Sequence, residues 1–351
     1  MDKNTVTFSN RAMRRSNLHQ QKKIKKLNIR THKILESPNV LSLLKNPDET
    51  LKFLSEVRKL ADDPTKDAKK RVDLSNLNSI DIGAALSFVA ELDRWQRIKG
   101  IYLHPDTVNE WDDNIVSELN SLGFFELLKT DMSKVIIKNK SKNWIPFMSG
   151  TQTVGLAAKK LRIALSKILP ASDQKLHIPI YVPLIESMKN SIEHAYDDHN
   201  NDISSYHHFG KRWWMAGSYN EAARRIEIAF LDLGVTIPIT LPRSRYWPAL
   251  EEDPTYGPYL HLDSARIRSA MLYRMSRTGE YQRGKGFKNI LEPVYLHPKN
   301  GVVVNSRFAQ CIVVNDGAVA RESNVPFAGT LIKWYLHLPD VSSEDLTGAN
   351  S

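Results

Sequence analysis

Cysteine is almost absent from this 351-residue chain: only Cys311 occurs, so no internal disulfide can form and no cysteine-based zinc cluster can be assembled. The adjacent His207 and His208 lack a partner at metal-ligand spacing, which argues against a histidine metal site. No apolar run approaches the ~18 residues needed to span a bilayer, and the N-terminus lacks the apolar core of a signal peptide. These absences predict a soluble protein of the reducing cytoplasm, without a membrane span. What remains is 41% hydrophobic and 25% charged, the balance of a globular chain long enough for two domains.

The net charge of +10 is unevenly spread. Residues 1–30 carry nine bases (Lys3, Arg11, Arg14, Arg15, Lys22, Lys23, Lys25, Lys26 and Arg30) against one acid, Asp2, and so hold most of the excess. Residues 1–35 therefore read as a basic, flexible arm. Such an arm meets nucleic acid, acidic protein or anionic lipid through sequence-independent electrostatics, or simply stays solvated. It is too rich in Lys, Asn and Gln for an organellar transit peptide to be the first choice.

Beyond the arm, "SPNVLSLLKNPDETLKFLSEVRKLADD" reads as short helical turns punctuated by proline. Val72, Leu74, Leu77 and Ile80 suggest a strand and its exit. Ala84, Ala85, Phe88, Val89 and Leu92 recur at helical spacing, and "GIYLHP" reads as a second strand. This β-α-β order implies a parallel pair with the helix on one face. "DDNIVSELNSLGFFELL" supplies another amphipathic helix ending at Gly123.

Residues 68 to 130 resemble a STAS domain, the small α/β module of anti-anti-sigma proteins, through the strand, the "IDxxG" turn, the helix, strand and helix, and "LGFFELL". The resemblance implies a partner-docking module at residues 36–145. In phosphorylated members a serine follows the Asp of that turn; here Ile82 follows Asp81, so the usual acceptor hydroxyl is missing, and Ser79 lies on the wrong side of the Asp. A Rossmann-like layer without regulatory history fits the same pattern.

Residues 145–170 read as a connector whose helix sets Leu156, Leu161, Ala164, Leu165 and Ile168 on one face and stops at Pro170. In "LIESMKNSIEHAYDD", Glu186, Asn190 and His194 stand four apart on one helical stripe, with Glu193 beside it and Ile185, Met188, Ile192 and Ala195 opposite. Alone, such a polar face is ordinary solvent-facing packing. It is followed, however, by "RIEIAFLDLG", where Ile226, Ile228 and Phe230 alternate up to Asp232 and Gly234. Next comes the glycine-rich basic turn "RGKGFKNILEPV", then strands "GVVVNSR" and "AQCIVVND", and finally "FAGTLIKWYLHLP".

Features in that order resemble the GHKL superfamily, the ATP-binding fold of histidine kinases, type II topoisomerases and mismatch-repair ATPases. The helix is most similar to that of anti-sigma-factor serine kinases, E-x-x-x-N-x-x-x-H-[AG]-Y, here Glu186, Asn190, His194, Ala195 and Tyr196. The implied architecture is an α/β sandwich over residues 146–340, with a flexible tail at 341–351. The resemblance implies that ATP and Mg²⁺ bind. Asn190 would be the Mg²⁺ ligand and Glu186 the general base, with His194 at the ATP site. Asp232 would accept from the adenine amino group, Gly234 would leave room for the ring, and Thr330 would support the adenine end through its hydroxyl. Arg283, Gly284, Lys285 and Gly286 would meet the phosphates, the glycines by close backbone approach at a helix start.

Two positions depart from the family pattern. Thr236 stands where D-x-G-x-G has its second glycine, and Lys288 where G-x-G-x-G has its third. Slow turnover, or binding alone, is the expectation they set. The segment from Pro242 to Gly279 sits where the family has its mobile lid, with Asp263 or Ser264 as a cap for its helical half and Arg277 or Arg283 near a phosphate. Trp213 and Trp214 invite base stacking, but a strand before "RIEIAF" favours core packing.

Three functions stay open on sequence grounds. The first is an Mg²⁺-dependent ATP-binding protein with slow ATPase activity, in which nucleotide orders the lid and controls a protein partner. The second is a protein serine/threonine kinase acting on a STAS-type partner. The third is a non-catalytic scaffold tethered to nucleic acid by its arm. A homodimer is compatible with each.

Overall fold

A computed structural model of the chain describes residues 34–62, 70–135, 137, 143–196, 211–273 and 286–339. The arm up to residue 33 and the tail from 340 lie outside the described residues. So do His207, His208, Arg277, Arg283, Gly284 and Lys285.

Strands β1 (Ile34–Glu36) and β2 (Val40–Leu41) lead into helix α1 (Pro47–Asp62). Strands β3 (Arg71–Asp73) and β4 (Ser79–Ile80) precede helix α2 (Ile82–Lys99), and β5 (His104–Asp106) and helix α3 (Asp113–Leu122) follow. All pairings here are parallel, in a three-stranded order β1-β3-β5 and a separate β2-β4 pair. The β-α-β unit expected around α2 is present, its second strand displaced to His104–Asp106. Ile34 and Leu35, assigned above to the arm, are strand residues paired with Arg71 and Val72. The stretch expected as short helical turns holds strand β2, a tight turn and then one sixteen-residue helix, α1. Pro47 starts it with Asp48 and Glu49 in the first turn, and Leu51, Leu54, Val57 and Ala61 bury one face.

The second half forms a five-stranded antiparallel sheet. Its strands are β6 (Met148–Gly150), β7 (Trp213–Asn220), β8 (Arg225–Asp232), β9 (Gly301–Val314) and β10 (Gly317–His337), in spatial order β6-β7-β8-β10-β9. The expected connector thus contributes an edge strand. The two strands expected from "GVVVNSR" and "AQCIVVND" are one, which bends at Arg307, whose φ of 54° is left-handed and coincides with a bulge opposite Phe327.

Helices α4 (Gly155–Ile168), α5 (Tyr181–Asn190), α6 (Asp263–Leu272) and α7 (Gly286–Leu291) cover one face of this sheet. Ile226, Ile228, Phe230, Trp213, Ile332 and Trp334 point into that layer. In α4 the buried positions are Ala158, Leu161 and Leu165, while Leu156 faces solvent, because the helix contacts the sheet along a narrower stripe than its apolar residues suggest. Asp263 does not cap α6 and neither does Ser264: Asp263 is its first helical residue, and its carboxylate is drawn away to Arg307 Nη1 (3.1 Å) and the Phe308 N–H (3.2 Å). Between β8 and α6, short turns gather around a small core of Leu250, Leu260 and Tyr273.

The opposite sheet face is covered by the first half of the chain. Trp214, Ala216, Ala229, Leu231 and Leu331 share one core with Phe88, Leu92 and other residues of α1 and α2. This explains why α2 is buried from Ile82 to Trp95 on every side: it lies between its own small sheets and the large one. Polar contacts cross the same seam. Trp214 Nε1 donates to Asp93 Oδ2 at 2.9 Å, and Lys333 Nζ lies 3.3 Å from Asp81 Oδ1 and 2.9 Å from Glu227 Oε2. Both tryptophans are therefore core residues on opposite faces of the sheet, as alternation along a strand requires.

Candidate functional site

Asp232, Gly234 and Thr330 lie where β8 and β10 meet the turn that follows α5, while Glu186 and Asn190 stand on α5 itself, against the start of α7. The antiparallel register sets Trp213, Asp232, Thr330 and Ser306 in one row across the four strands. Their neighbours Leu231 and Leu331 belong to the core on the far face, so the row itself points toward the helical layer.

Asp232 ends β8, and its Oδ1 accepts the Gly234 N–H at 3.0 Å. Burial pushes its carboxyl up to about 7, against the opposing main-chain N–H groups of Gly234 and Thr330. Thr330 presents its hydroxyl 3.0 Å from that of Ser306, which also lies 3.3 Å from the Gly329 carbonyl and accepts the Ile237 N–H at 3.0 Å. Ser306 was not singled out by sequence reasoning, because it sits in a valine-rich strand whose register with β10 is a tertiary fact.

The helix reaches this row through its last turn. Residues Ser191–Ala195 continue α5 as a π-helical turn, and the Ala195 carbonyl accepts the Val235 N–H at 2.5 Å. The Tyr196 hydroxyl accepts the Leu233 N–H at 3.1 Å and donates to the Arg212 carbonyl. Burial, helped by the Asp232 charge, pushes its phenol well above the ordinary range. Gly234 is explained by this contact: a Cβ there would stand 2.1 Å from the Ala195 oxygen, so the room it leaves is filled by main chain. Gly329 is constrained still more, with φ of 76° and the Asp232 oxygen 1.9 Å from where its Cβ would be.

One turn back along α5, Asn190 and Glu186 face the start of α7. A Cβ on Gly286 would lie 3.4 Å from Asn190 Oδ1 and 3.8 Å from Glu186 Oε2, ordinary contact distances, so the position brings the chain close without demanding glycine. Glu186 Oε1 pairs with Lys189 Nζ at 3.0 Å. His194 is exposed on the π-helical turn, which takes it off the stripe that a regular α-helix would have continued from Asn190. Thus Glu186, Asn190 and Gly286 form one group, Asp232, Gly234 and Thr330 a second, and the Ser191–Ala195 turn joins them. Arg283, Gly284 and Lys285 lie outside the described residues.

Two buried hydroxyls border these groups without a partner among the described residues: Ser191 Oγ, directly after Asn190, and Thr236 Oγ1, on the loop after Asp232. Buried hydroxyls are nearly always hydrogen-bonded, which sets these two apart from the other hydroxyls of the region. No protein-family model matches the chain, and comparison with curated proteins found no match.

Proposed function

We propose that this chain is a Mg²⁺-dependent ATP-binding protein of the GHKL type. The single observation that carries the reading is the row Asp232–Thr330–Ser306: a buried carboxyl between main-chain donors, aligned with a hydroxyl pair, at the foot of the helix that carries Glu186 and Asn190. A buried acceptor with spare lone pairs suits the exocyclic amino group of adenine, and Thr330 adds a hydroxyl beside it. The Thr236 and Ser191 hydroxyls, without a partner among the described residues, are further hydrogen-bonding groups for such a guest.

The Asn190 amide oxygen, with the Glu186 carboxylate one turn away, suits a hard cation that takes its other ligands from phosphate and water. Bound there, Mg²⁺ would supply charge neutralisation to the phosphates. Glu186 is the residue to take a proton, from water in an ATPase or from a serine or threonine hydroxyl in a protein kinase. Thr236 and Lys288 replace small residues beside the nucleotide, which favours slow turnover over fast. Of the segment expected as a lid, residues 242–273 are already folded, with Ile267 and Met271 in the core against the sheet, and residues 274–279 lie outside the described residues, so nucleotide would control a protein partner by another route than ordering this segment.

Equilibrium binding of Mg²⁺-ATP to the parent, Asn190→Ala and Asp232→Ala proteins tests the reading, with circular dichroism to establish folding. Saturable binding by the parent that both folded variants lose is the expected result. No binding by the well-folded parent would leave the non-catalytic scaffold.

A further inference from the structure

The outer surface of α4 and the start of α5 combines two features that a solvated face does not need together. Leu156 is 58% exposed, Val182 45%, Tyr181 43% and Ile163 41%, although the opposite side of α4 is well packed. Leu156 and Ile163 are seven residues apart and so share one stripe, roughly 10 Å long. The Tyr181 hydroxyl packs over Gly155, which makes the two helix starts one continuous surface. Over residues 151–185 the exposed charges are Lys159, Lys160, Lys167 and Lys175, all positive, with Arg162 half-buried. The one acid, Asp173, is buried and paired with Arg224.

We infer that this face docks on an anionic lipid surface, its lysines among the headgroups and Leu156, Ile163, Tyr181 and Val182 in the interfacial layer. Charge and shape select this occupant. A second copy in a two-fold contact would set lysines against lysines. The basic arm of residues 1–30 is repelled for the same reason. A nucleic-acid backbone would satisfy the lysines and leave the protruding aliphatic groups in water. An anionic bilayer accepts both, as interfacial helices with lysine beside aliphatic and aromatic residues do. The Asp232 row meets the opposite end of α5, away from this surface.

Co-sedimentation of the full chain with phosphatidylcholine vesicles, with and without phosphatidylserine, tests the assignment. Binding should require the anionic lipid. In Leu156→Ser/Ile163→Ser, with the arm intact, partitioning should fall about ten-fold, since two partly buried aliphatic groups are lost. Each Lys→Gln change at Lys159, Lys160 or Lys167 should weaken it about five-fold. Equal binding by parent and double variant would assign the effect to the arm and overturn the proposal. So would absence of binding to either vesicle. Retention on immobilised polyglutamate, lost in the double variant and unaccompanied by vesicle binding, would give the face to an acidic protein instead.

Discussion

At the scale of single residues, Asp232 has a measurable signature independent of any ligand. Its folded-state carboxyl holds its proton to about 7, whereas an unfolded aspartate releases it near 3.8. Between those values the folded chain binds the extra proton, so stability should fall as pH rises from about 4 to about 7 and stay at its lower level above. Asp232→Asn removes the titration. Urea unfolding at pH 5 and pH 8 should show the variant more stable than the parent at pH 8, by on the order of 2–4 kcal/mol, and losing less between the two conditions. A parent whose stability does not fall over this range would mean that the carboxyl is better solvated than the structure has it. Asp232 and Gly234 stood out in the sequence because they close an alternating strand, and Thr330 because it follows Gly329 at the start of the last apolar run; that Thr330 pairs with Asp232 is a matter of register. Ser306, Ser191 and the reason for Gly234 were not legible, since each depends on which backbone arrives beside it.

At the scale of elements, the periodic segments were the readable ones. Helix α5 with buried Met188, strand β8, and the β-α-β unit around α2 follow from spacing alone, although Ile185 and Ile192, expected on the buried side, are half-buried and Leu184 is buried in their place. Short or bent elements were not readable. The two- and three-residue strands β1 and β2 have no period to detect, and the bend at Arg307 split one strand into two apparent ones. The outward-facing Leu156 shows the limit of amphipathic reasoning, which counts apolar residues but cannot see where the sheet ends. The join between α2 and β10 rests on Lys333: burial pulls its ammonium down, but Asp81 and Glu227 outweigh this and hold it above its usual value. Lys333→Ala leaves both carboxylates without that cation and should cost about 3–5 kcal/mol in urea unfolding. The triple change Lys333→Met/Asp81→Asn/Glu227→Gln should recover much of the loss, since the charges then leave together.

At the scale of the whole molecule, the boundary drawn near residue 145 separates two sets of strands but not two cores. Helices α1 and α2 occupy the back of the five-stranded sheet, and Trp214, Leu231, Leu331 and Phe327 are buried by them. A chain limited to residues 146–340 would expose that surface and should aggregate or unfold at lower temperature than the full protein, as calorimetry of both would reveal. A stable, monomeric 146–340 fragment would count against the shared core. The alternation of β8 and β10 also has a genetic meaning. Each strand serves the Asp232 row with one set of residues and α2 with the other, and Gly83 on α2 lies against Leu331, the immediate neighbour of Thr330. In a selection for function, second-site suppressors of damage at Thr330 or Asp232 are therefore expected on the far side of the sheet, around Gly83 and Ala84, in the half of the sequence that carries none of the site residues.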